Sequence, residues 1–382
     1  MIRLTGGPKD YAWGSTTLLS NLRGTAPSAT PEAELWYGAH PGSATMGDNG
    51  MSLLDYVEQN PEERLGQPII DRFGAQLPFL LKLIAADTPL SIQAHPTAEQ
   101  ARAGFAAEEA AGVPRDAPDR SFRDDTHKPE LIVALTNFEA LVGFRAIDLT
   151  VDFFDSIGWT ALSEPLQSKG PKHVVDGLLQ PESWDKSPED IDEMVNELVS
   201  ACRLYPGGLW RAETELLIRL ASDYPGDPGV AVASLLNRVS LEPGEGLFLD
   251  AGHLHSYVGG LAVEVMANCD NVLRGGLTPK YIDVANLLDV VLPDVFVPER
   301  VIEEADGRYE TPAPEFELRH LDAATSREVE GPSIILGTHG TTSVTTGEDQ
   351  LELAPTEAVW LEVGERATVS GTDFSAWLAS VG

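Results

Sequence analysis

The stretch Leu241-Glu-Pro-Gly-Glu-Gly-Leu-Phe-Leu-Asp-Ala-Gly252 decides the fold, because a similar stretch occurs a second time. The second copy is Leu353-Ala-Pro-Thr-Glu-Ala-Val-Trp-Leu-Glu-Val-Gly364, with Leu, Pro, Glu, Leu and Gly at the same offsets. Each copy predicts a strand, a turn at the proline and a second strand that ends at the glycine. Repetition of such a unit is typical of a jelly roll, which consists of two antiparallel sheets. We therefore expect two similar β domains. A chance similarity between two hairpins is the alternative interpretation.

The two copies differ in the residues that follow them. His253-Leu-His255 follows the first copy, whereas Glu365-Arg-Ala367 follows the second. Imidazole is both a metal ligand and an acid–base group at neutral pH. We therefore expect the functional site in the first β domain and a structural role for the second.

Hydrophobic patterns predict further strands upstream of the repeat. The apolar runs 77–86 and 90–95 are expected to be strands, and a turn at Asp87-Thr-Pro89 separates them. The runs 131–135 and 140–144 are expected to form a hairpin, because only a short polar segment joins them.

The pattern changes to helical periodicity between residues 149 and 224. In the segment 188–204, for example, Ile191, Met194 and Leu198 fall on one stripe of a helix. Strand-like segments resume after the Gly- and Pro-rich turn at 224–229. The prediction is a mainly β protein with an α insertion. Its expected domains are a β domain of residues 1–148 and 227–300, a helical domain of residues 149–226, and a second β domain of residues 301–382.

Composition excludes several classes of protein. The 382 residues include 26 Lys and Arg and 60 Asp and Glu, and the net charge of −34 repels nucleic acid and anionic membranes. Cys202 and Cys269 are the only cysteines, which excludes a disulfide framework and fits a reducing compartment. No apolar run approaches the ~20 residues that span a bilayer, and the N-terminus has no apolar signal core. We expect a cytoplasmic protein that binds neither nucleic acid nor a membrane.

Two short motifs, Gln93-Ala-His95 and His253-Leu-His255, place a histidine two residues after another donor. Residues i and i+2 of a strand share a face, so Gln93 and His95 can be directed to one point. Glu130, at the start of the 131–135 run, and His255 could complete a metal site. Such nitrogen and oxygen donors suit Zn²⁺, but also Fe²⁺, Co²⁺ or Mn²⁺. The alternative is that these histidines are ordinary hydrogen-bonded residues, and spacing alone favours that alternative.

The segment from Glu264 to Lys280 combines acidic, basic and amide side chains between glycines, as functional loops do. Arg274 and Lys280 are candidates to bind an anion such as phosphate, because basic residues are scarce in this chain. Ion pairing with surface carboxylates is the alternative. The sequence contains no Walker loop and no dinucleotide-binding glycine pattern, so neither ATP nor NAD is indicated.

Six motifs that occur in order between about residues 8 and 290 resemble the type I mannose-6-phosphate isomerase family. They are Tyr11-Ala-Trp-Gly14, Ala33-Glu-Leu-Trp-Tyr-Gly-Ala-His-Pro41, Pro78-Phe-Leu-Leu-Lys82, Leu90-Ser-Ile-Gln-Ala-His-Pro96, His127-Lys-Pro-Glu130 and Asp270-Asn-Val-Leu-Arg-Gly-Gly-Leu-Thr-Pro-Lys280. The resemblance implies a cupin core, an inserted helical domain and a second, degenerate cupin barrel. It also implies a zinc-dependent aldose–ketose isomerase that interconverts mannose 6-phosphate and fructose 6-phosphate through a cis-enediol.

The resemblance also assigns roles to individual residues. The ligands of one zinc ion per chain fall on Gln93, His95, Glu130 and His255. Arg274 is expected to stabilise enediolate charge, and the acid/base group is expected among His127, Lys128, Glu264 and Asp270. Ser91, Lys82 and Lys280 are candidates for phosphate contact, and Trp13 is expected either to line the sugar pocket or to pack in the core. Two departures from the family pattern, Leu254-His-Ser-Tyr257 and Gly275, affect packing around the last ligand.

Two other functions remain possible for a cupin. A non-haem iron dioxygenase would use two histidines and one carboxylate, and the fourth donor at Gln93 argues against it. A non-catalytic sugar-phosphate-binding cupin would need no acid/base group beside its ligand. For the isomerase we expect a small-molecule sugar phosphate as the partner and a monomeric protein.

Overall fold

The structure is a computed structural model that describes residues 1–43, 45–322, 327–347 and 349–382. Antiparallel pairing organises its strands into two sheets. In chain order the strands are β1 (Ile2–Thr5), β2 (Gly7–Lys9), β3 (Glu34–Gly38), β4 (Met46–Gly47), β5 (Phe79–Ala86), β6 (Ile92–Ala94), β7 (Glu130–Ala134), β8 (Phe138–Phe144), β9 (Leu236–Leu241), β10 (Gly246–Leu249), β11 (His255–Ala267), β12 (Leu273–Gly276), β13 (Arg300–Val301), β14 (Arg308–Tyr309), β15 (Glu317–Asp322), β16 (Arg327–Glu330), β17 (Ser333–Thr346), β18 (Asp349–Leu353), β19 (Glu357–Leu361) and β20 (Arg366–Ser380).

Half of the α-helices formed by the described residues lie between the strands β8 and β9. In chain order the α-helices are α1 (Leu18–Arg23), α2 (Leu53–Gln59), α3 (Pro61–Leu65), α4 (Gln67–Phe73), α5 (Ala98–Ala111), α6 (Ile147–Ser156), α7 (Ser163–Lys169), α8 (Pro171–Leu179), α9 (Pro188–Leu204), α10 (Arg211–Asp223), α11 (Gly229–Ala233) and α12 (Val284–Val290), and a 3₁₀ helix covers Pro181–Trp184. Within the described ranges, none of them has the length and apolar character needed to cross a bilayer. The bounds of the strands and helices confirm the expected mainly β fold with a helical insertion.

The long strand β11 organises the first sheet. Its first half pairs with β6 and β8, and its second half pairs with β5 and β7. Between the halves the register shifts at Gly259, and Gly260 has φ of +119°, which only glycine adopts without strain. The expected hairpin of 131–135 with 140–144 is wrong, because β7 and β8 each pair with β11 and not with each other. The strands at 77–86 and 90–95 are confirmed as β5 and β6.

The second sheet contains the C-terminal strands together with two strands from the N-terminal part of the chain. β1 pairs with β19, where Ile2 faces Trp360, and β4 pairs with β1. The buried core beneath this pairing includes Leu4, Trp360 and Trp377. The three-domain division of the chain stays a prediction, and it did not include this exchange of strands.

The repeated stretch folds in the same way in both copies. A strand ends at Leu241 in the first copy and at Leu353 in the second, and the following strands end at Leu249 and Leu361. The two strands of each copy do not pair with each other, so each copy is a corner between neighbouring strands and not a hairpin.

The helical insertion matches its sequence signals closely. Helix α9 has the bounds expected for the 188–204 segment, and Ser187 caps it through a capping box. Its buried stripe includes Ile191, Met194 and Leu198, which join a core shared with α6, α8 and α10. Residues of β6 and β12 belong to the same core, so the insertion supports the strands that carry the candidate site.

Candidate active site

A cavity of about 480 Å³ lies against the first sheet. Its lining includes six basic side chains and five acidic ones, whereas acidic residues outnumber basic ones more than twofold in the whole chain. The cavity is therefore enriched in cationic groups and suited to an anionic ligand. The basic residues are Lys82, Arg120, Arg123, Lys128, Arg274 and Lys280, and the acidic ones are Glu34, Asp116, Glu130, Glu264 and Asp270.

Two histidines and a glutamate meet beside this cavity. His95 follows β6, Glu130 opens β7 and His255 opens β11, and all three are at most 2% exposed. One ligand atom from each lies within 4.8 Å of the others. His95 Nε2 is 3.2 Å from Glu130 Oε1, and His255 Nε2 is 3.6 Å from Glu130 Oε2.

The hydrogen bonds of the two rings direct unprotonated nitrogens at the carboxylate. His95 Nδ1 donates to the carbonyl oxygen of Asn271 at 2.7 Å, and His255 Nδ1 donates to that of His253 at 3.0 Å. Among the described residues, neither buried Nε2 atom has a hydrogen-bond partner. The Nε2 lone pairs of both rings face the carboxylate. The site therefore brings three electron donors together, and no proton lies between them to form a hydrogen bond. A divalent cation fits this arrangement.

The protonation states agree with metal binding. Burial lowers the pKa of His255 to about 4, and the neighbouring His95 ring adds to this effect. Burial, followed by the charge of Lys128, also lowers the pKa of His95. Burial opposes ionisation of Glu130, but Lys128 and His95 hold the pKa of its carboxyl group well below the usual value. Neutral imidazoles and an ionised carboxylate are the ligand forms that metals require.

Strand register places Gln93 and Arg274 beside these donors. Gln93 lies opposite His255 across the β6–β11 pair and opposite Arg274 across the β6–β12 pair. Directly opposed residues of antiparallel strands have side chains on the same face. His255, Gln93 and Arg274 therefore form a row across three strands, and both Gln93 and Arg274 line the cavity.

A buried carboxylate network continues from the cluster. Lys82 Nζ is 2.9 Å from Glu264 Oε2 and 3.8 Å from Glu34 Oε1. The hydroxyl group of Tyr257 lies 2.9 Å from Glu264 and 3.3 Å from Glu130, so it connects the two carboxylates. Burial raises the pKa of Glu264, although the charge of Lys82 acts in the opposite direction.

Sequence reasoning missed Tyr257 as a site residue. Tyr257 lies two residues after His255 in the same strand, and that spacing could have identified it.

Three cations line the cavity without carboxylate partners. Within the described residues, Arg123, Arg274 and Lys280 form no ion pair. Burial and then the nearby Arg123 lower the pKa of Arg274, and burial followed by Arg274 lowers that of Lys280. Mutual repulsion between unpaired cations is relieved by an anion. Sequence reasoning missed Arg123, which lies in an irregular segment between acidic residues.

The other expected site residues are divided between the cavity and its surroundings. Ser91 and Trp13 line the cavity, and Trp13 stacks on Tyr11 with ring centres 5.6 Å apart. Asp270 lies at the rim, where its Oδ1 is 3.3 Å from His40 Nε2. Burial opposes ionisation of Asp270, but this contact with His40 lowers its pKa.

His127 is the expected site residue that the structure keeps out of the cavity. Its Nε2 lies 2.7 Å from Glu315 Oε1, in a separate cavity of about 430 Å³. In an extended segment, successive side chains point to opposite sides. Lys128 and Glu130 therefore reach the cavity while His127 faces away from it. For this reason His127 is not included in the acid/base group proposed below.

Comparisons with known proteins agree on one family. The family model "Phosphomannose isomerase type I, catalytic domain" matches residues 1–147. Mannose-6-phosphate isomerase of Escherichia coli (strain K12) is 37% identical over 391 residues, which cover 97% of this chain and 97% of that protein. The same enzyme of Macaca fascicularis is 32% identical and covers 95% of this chain and 93% of its own length.

A solved structure extends the likeness to the whole fold. Mannose 6-phosphate isomerase from Salmonella typhimurium, crystallised with fructose 6-phosphate and zinc, matches with a TM-score of 0.89 and 34% identity over all of both chains. Sequence likeness, fold and the geometry of the cavity thus lead to the same assignment. The chain belongs to the type I mannose-6-phosphate isomerase family.

Proposed function

We propose that this protein is a zinc-dependent aldose–ketose isomerase that interconverts D-mannose 6-phosphate and D-fructose 6-phosphate. One observation carries the proposal: two unprotonated imidazole nitrogens face a buried carboxylate at the wall of a cavity that also holds unpaired cations. A metal site and an anion site in one cavity suit a phosphorylated sugar whose carbonyl end must be polarised. The Salmonella typhimurium relative, which binds fructose 6-phosphate and zinc, supports the choice of substrate and metal.

We propose His95, Glu130 and His255 as zinc ligands, with Gln93 as the fourth. Gln93 is chosen as the fourth ligand because its side chain shares a sheet face with His255 in the neighbouring strand. When bound, zinc supplies a Lewis acid that polarises the oxygens on C1 and C2 of the sugar. The carbonyl groups of Asn271 and His253 keep the two rings in the required tautomer.

The cations divide into two roles. Arg274, next to Gln93 in the row across the strands, is placed to donate hydrogen bonds to the negative charge that develops on the substrate oxygens. Arg123 and Lys280 are proposed to bind the phosphate group, with Ser91 as a further contact. Lys82 is the weaker phosphate candidate, because Glu264 and Glu34 already neutralise its charge. Trp13 is proposed to line the sugar pocket.

We propose Glu264 as the group that moves the proton between carbons. A cis-enediol path needs one base on one face of the sugar: it takes the proton from C2 and returns it to C1, while a second proton moves from O2 to O1. Burial raises the pKa of Glu264, whereas the contact with His40 lowers the pKa of Asp270 despite its burial. Lys128 is engaged by Glu130 at 2.8 Å. Lys82 and Tyr257 hold the Glu264 carboxylate in place.

The test combines elemental analysis with a coupled assay of mannose 6-phosphate and fructose 6-phosphate interconversion. The purified protein is expected to contain one zinc ion per chain and to be active. Glu264→Gln should lower kcat by roughly 10²–10⁴-fold with zinc retained, whereas Asp270→Asn should have a smaller effect. An inactive zinc protein would support the non-catalytic cupin, and iron with oxygen consumption would support the dioxygenase. A fully active Glu264→Gln enzyme would remove Glu264 from its role.

We further propose a monomeric, cytoplasmic enzyme that acts without nucleic acid or membrane partners. The net charge of −34 disfavours polyanionic partners, and the two cysteines are free and buried. Light scattering at micromolar protein concentration tests whether the protein is monomeric.

A further inference from the structure

The side chain of Asn271 is one of the most fully engaged polar groups near the cavity. It is completely buried. Its Oδ1 accepts hydrogen bonds from the backbone N–H groups of Arg123 at 2.8 Å and Asp124 at 3.0 Å. Its Nδ2 donates to the carbonyl oxygens of Asp124 at 2.8 Å and Thr126 at 2.9 Å. Both lone pairs and both protons of the amide are therefore used on one segment, residues 123–126.

The backbone of Asn271 has a second connection. Its carbonyl oxygen accepts the hydrogen bond from His95 Nδ1 at 2.7 Å. Asn271 thus joins a proposed zinc ligand to the segment that begins with Arg123. The neighbouring Asp270 strengthens the junction, because its N–H donates to the side chain of Asp124 at 2.6 Å.

Segment 123–126 has no strand or helix of its own to fix the backbone of Arg123. The backbone amides of residues 123 and 124 depend on the Asn271 amide, and Arg123 itself forms no ion pair within the described residues. Its guanidinium group reaches the cavity only if the backbone of this segment is held in place. The site of substrate chemistry and the cation that lies in the same cavity are therefore linked through one asparagine.

We propose that Asn271 is a positioning residue that holds Arg123 in register with the zinc ligand His95, so that phosphate and carbonyl ends of the sugar are bound at a fixed separation. This inference rests on the proposed function. An amide is required because the segment offers both donors and acceptors. Asp can accept but cannot donate, and its carboxylate would face the carbonyl oxygens of Asp124 and Thr126.

The first test is Asn271→Asp in the zinc-loaded enzyme. We expect KM for fructose 6-phosphate to rise about tenfold or more, because hydrogen bonds that position a substrate-binding cation are lost. The change in kcat should be small, and zinc content should stay at one per chain, because the backbone carbonyl that orients His95 remains. Calorimetry with glucitol 6-phosphate, which has no carbonyl group and is not turned over, should show the same loss of affinity without relying on activity.

Asn268→Asp is the matched control. Asn268 lies three residues away, and its Nδ2 also donates to two carbonyl groups, those of Ala39 and Leu77, but it does not contact the Arg123 segment. This variant loses donors to two backbone carbonyl groups and should leave KM unchanged. A rise of KM in both variants would mean a general structural effect and would overturn the proposal.

The decisive measurement is a double-mutant cycle with Arg123→Ala. If Asn271 acts through Arg123, Asn271→Asp should add little to the KM and the glucitol 6-phosphate affinity of the Arg123→Ala enzyme. Independent, multiplying effects of the two substitutions would refute the proposed link. If the unmodified protein bound glucitol 6-phosphate but had no isomerase activity, the proposed function would fail while the cycle could still be read from binding alone.

Discussion

Replacing Lys82 by Met removes the cation that two buried carboxylates share. Lys82 Nζ lies 2.9 Å from Glu264 and 3.8 Å from Glu34, and all three residues are buried. At an effective dielectric constant of 20, each attraction amounts to about 4–6 kcal/mol before desolvation is subtracted. Removing one partner of a buried pair typically costs about 3–5 kcal/mol. We expect the free energy of unfolding to fall by that amount at pH 8.

The loss of unfolding free energy should depend on pH, and the ionisation of Glu264 determines whether this loss grows or shrinks as the pH rises. Burial already raises the pKa of Glu264, and removal of Lys82 takes away the charge that opposes this rise. A carboxyl group with a raised folded-state pKa binds its proton more tightly in the folded state. Raising the pH above the unfolded value of 4.5 therefore favours unfolding until Glu264 itself ionises. The deficit of Lys82→Met relative to the unmodified protein should accordingly be larger at pH 8 than at pH 5, close to the unfolded value.

Urea unfolding of both zinc-loaded proteins at the two pH values measures this difference, and effects of zinc release largely cancel in the comparison. Lys9→Met is the matched control. Lys9 Nζ lies 4.4 Å from the same Trp36 ring that Lys82 approaches at 5.0 Å, but it is near the surface and, among the described residues, donates to a backbone carbonyl and forms no ion pair. Its replacement should cost about 1 kcal/mol or less. A Lys82→Met deficit of that same size, or one that does not change with pH, would refute the reasoning.

Three further predictions concern ligation, pH and packing. His255→Ala should leave the protein with less than stoichiometric zinc in elemental analysis, with a parallel loss of activity, and retention of both would exclude His255 as a ligand. In metal-free protein, the free energy of unfolding should fall by roughly 3 kcal/mol as the pH drops from 6.5 to 4, because His255 is protonated in the unfolded chain before its buried form, whose pKa is about 4. Urea titrations would detect this slope, which His255→Ala should reduce. Gly104→Ala in α5 should destabilise the protein by about 1–3 kcal/mol despite the helix propensity of Ala, because the new Cβ would lie 2.4 Å from the Phe122 ring. Thermal denaturation would show recovery in the Gly104→Ala, Phe122→Leu double variant if that contact is the cause.

Local sequence signals predicted the elements but not their pairing. The helix α9 was expected from its apolar stripe, and the two Leu-Pro repeats marked strand ends correctly. The expected hairpin of β7 with β8 failed because both strands pair with β11, which lies more than a hundred residues further along the chain. Apolar runs indicate where strands are, but the choice of partner depends on distant residues.

The candidate site likewise contains residues that local patterns indicate and residues whose position depends on distant contacts. Donor spacing made His95 and His255 candidate ligands and the family resemblance selected them, and the structure brings both to Glu130. Arg123 was missed because nothing in its own segment fixes its direction, which depends on the amide of Asn271 far along the chain. His127 was placed in the acid/base set by its motif, although a single step along an extended segment is enough to turn a side chain away from its neighbour's cavity.

The pairing of β1 with β19 bears on how the molecule is made. β1 precedes β19 by hundreds of residues and therefore leaves the ribosome long before it. The second sheet therefore lacks one of its strands in any fragment cut between the two halves of the molecule, and during biosynthesis β1 stays without this partner until β19 has been made. Deletion of residues 2–5 should leave the edge of β19 open to pairing with other chains and promote aggregation.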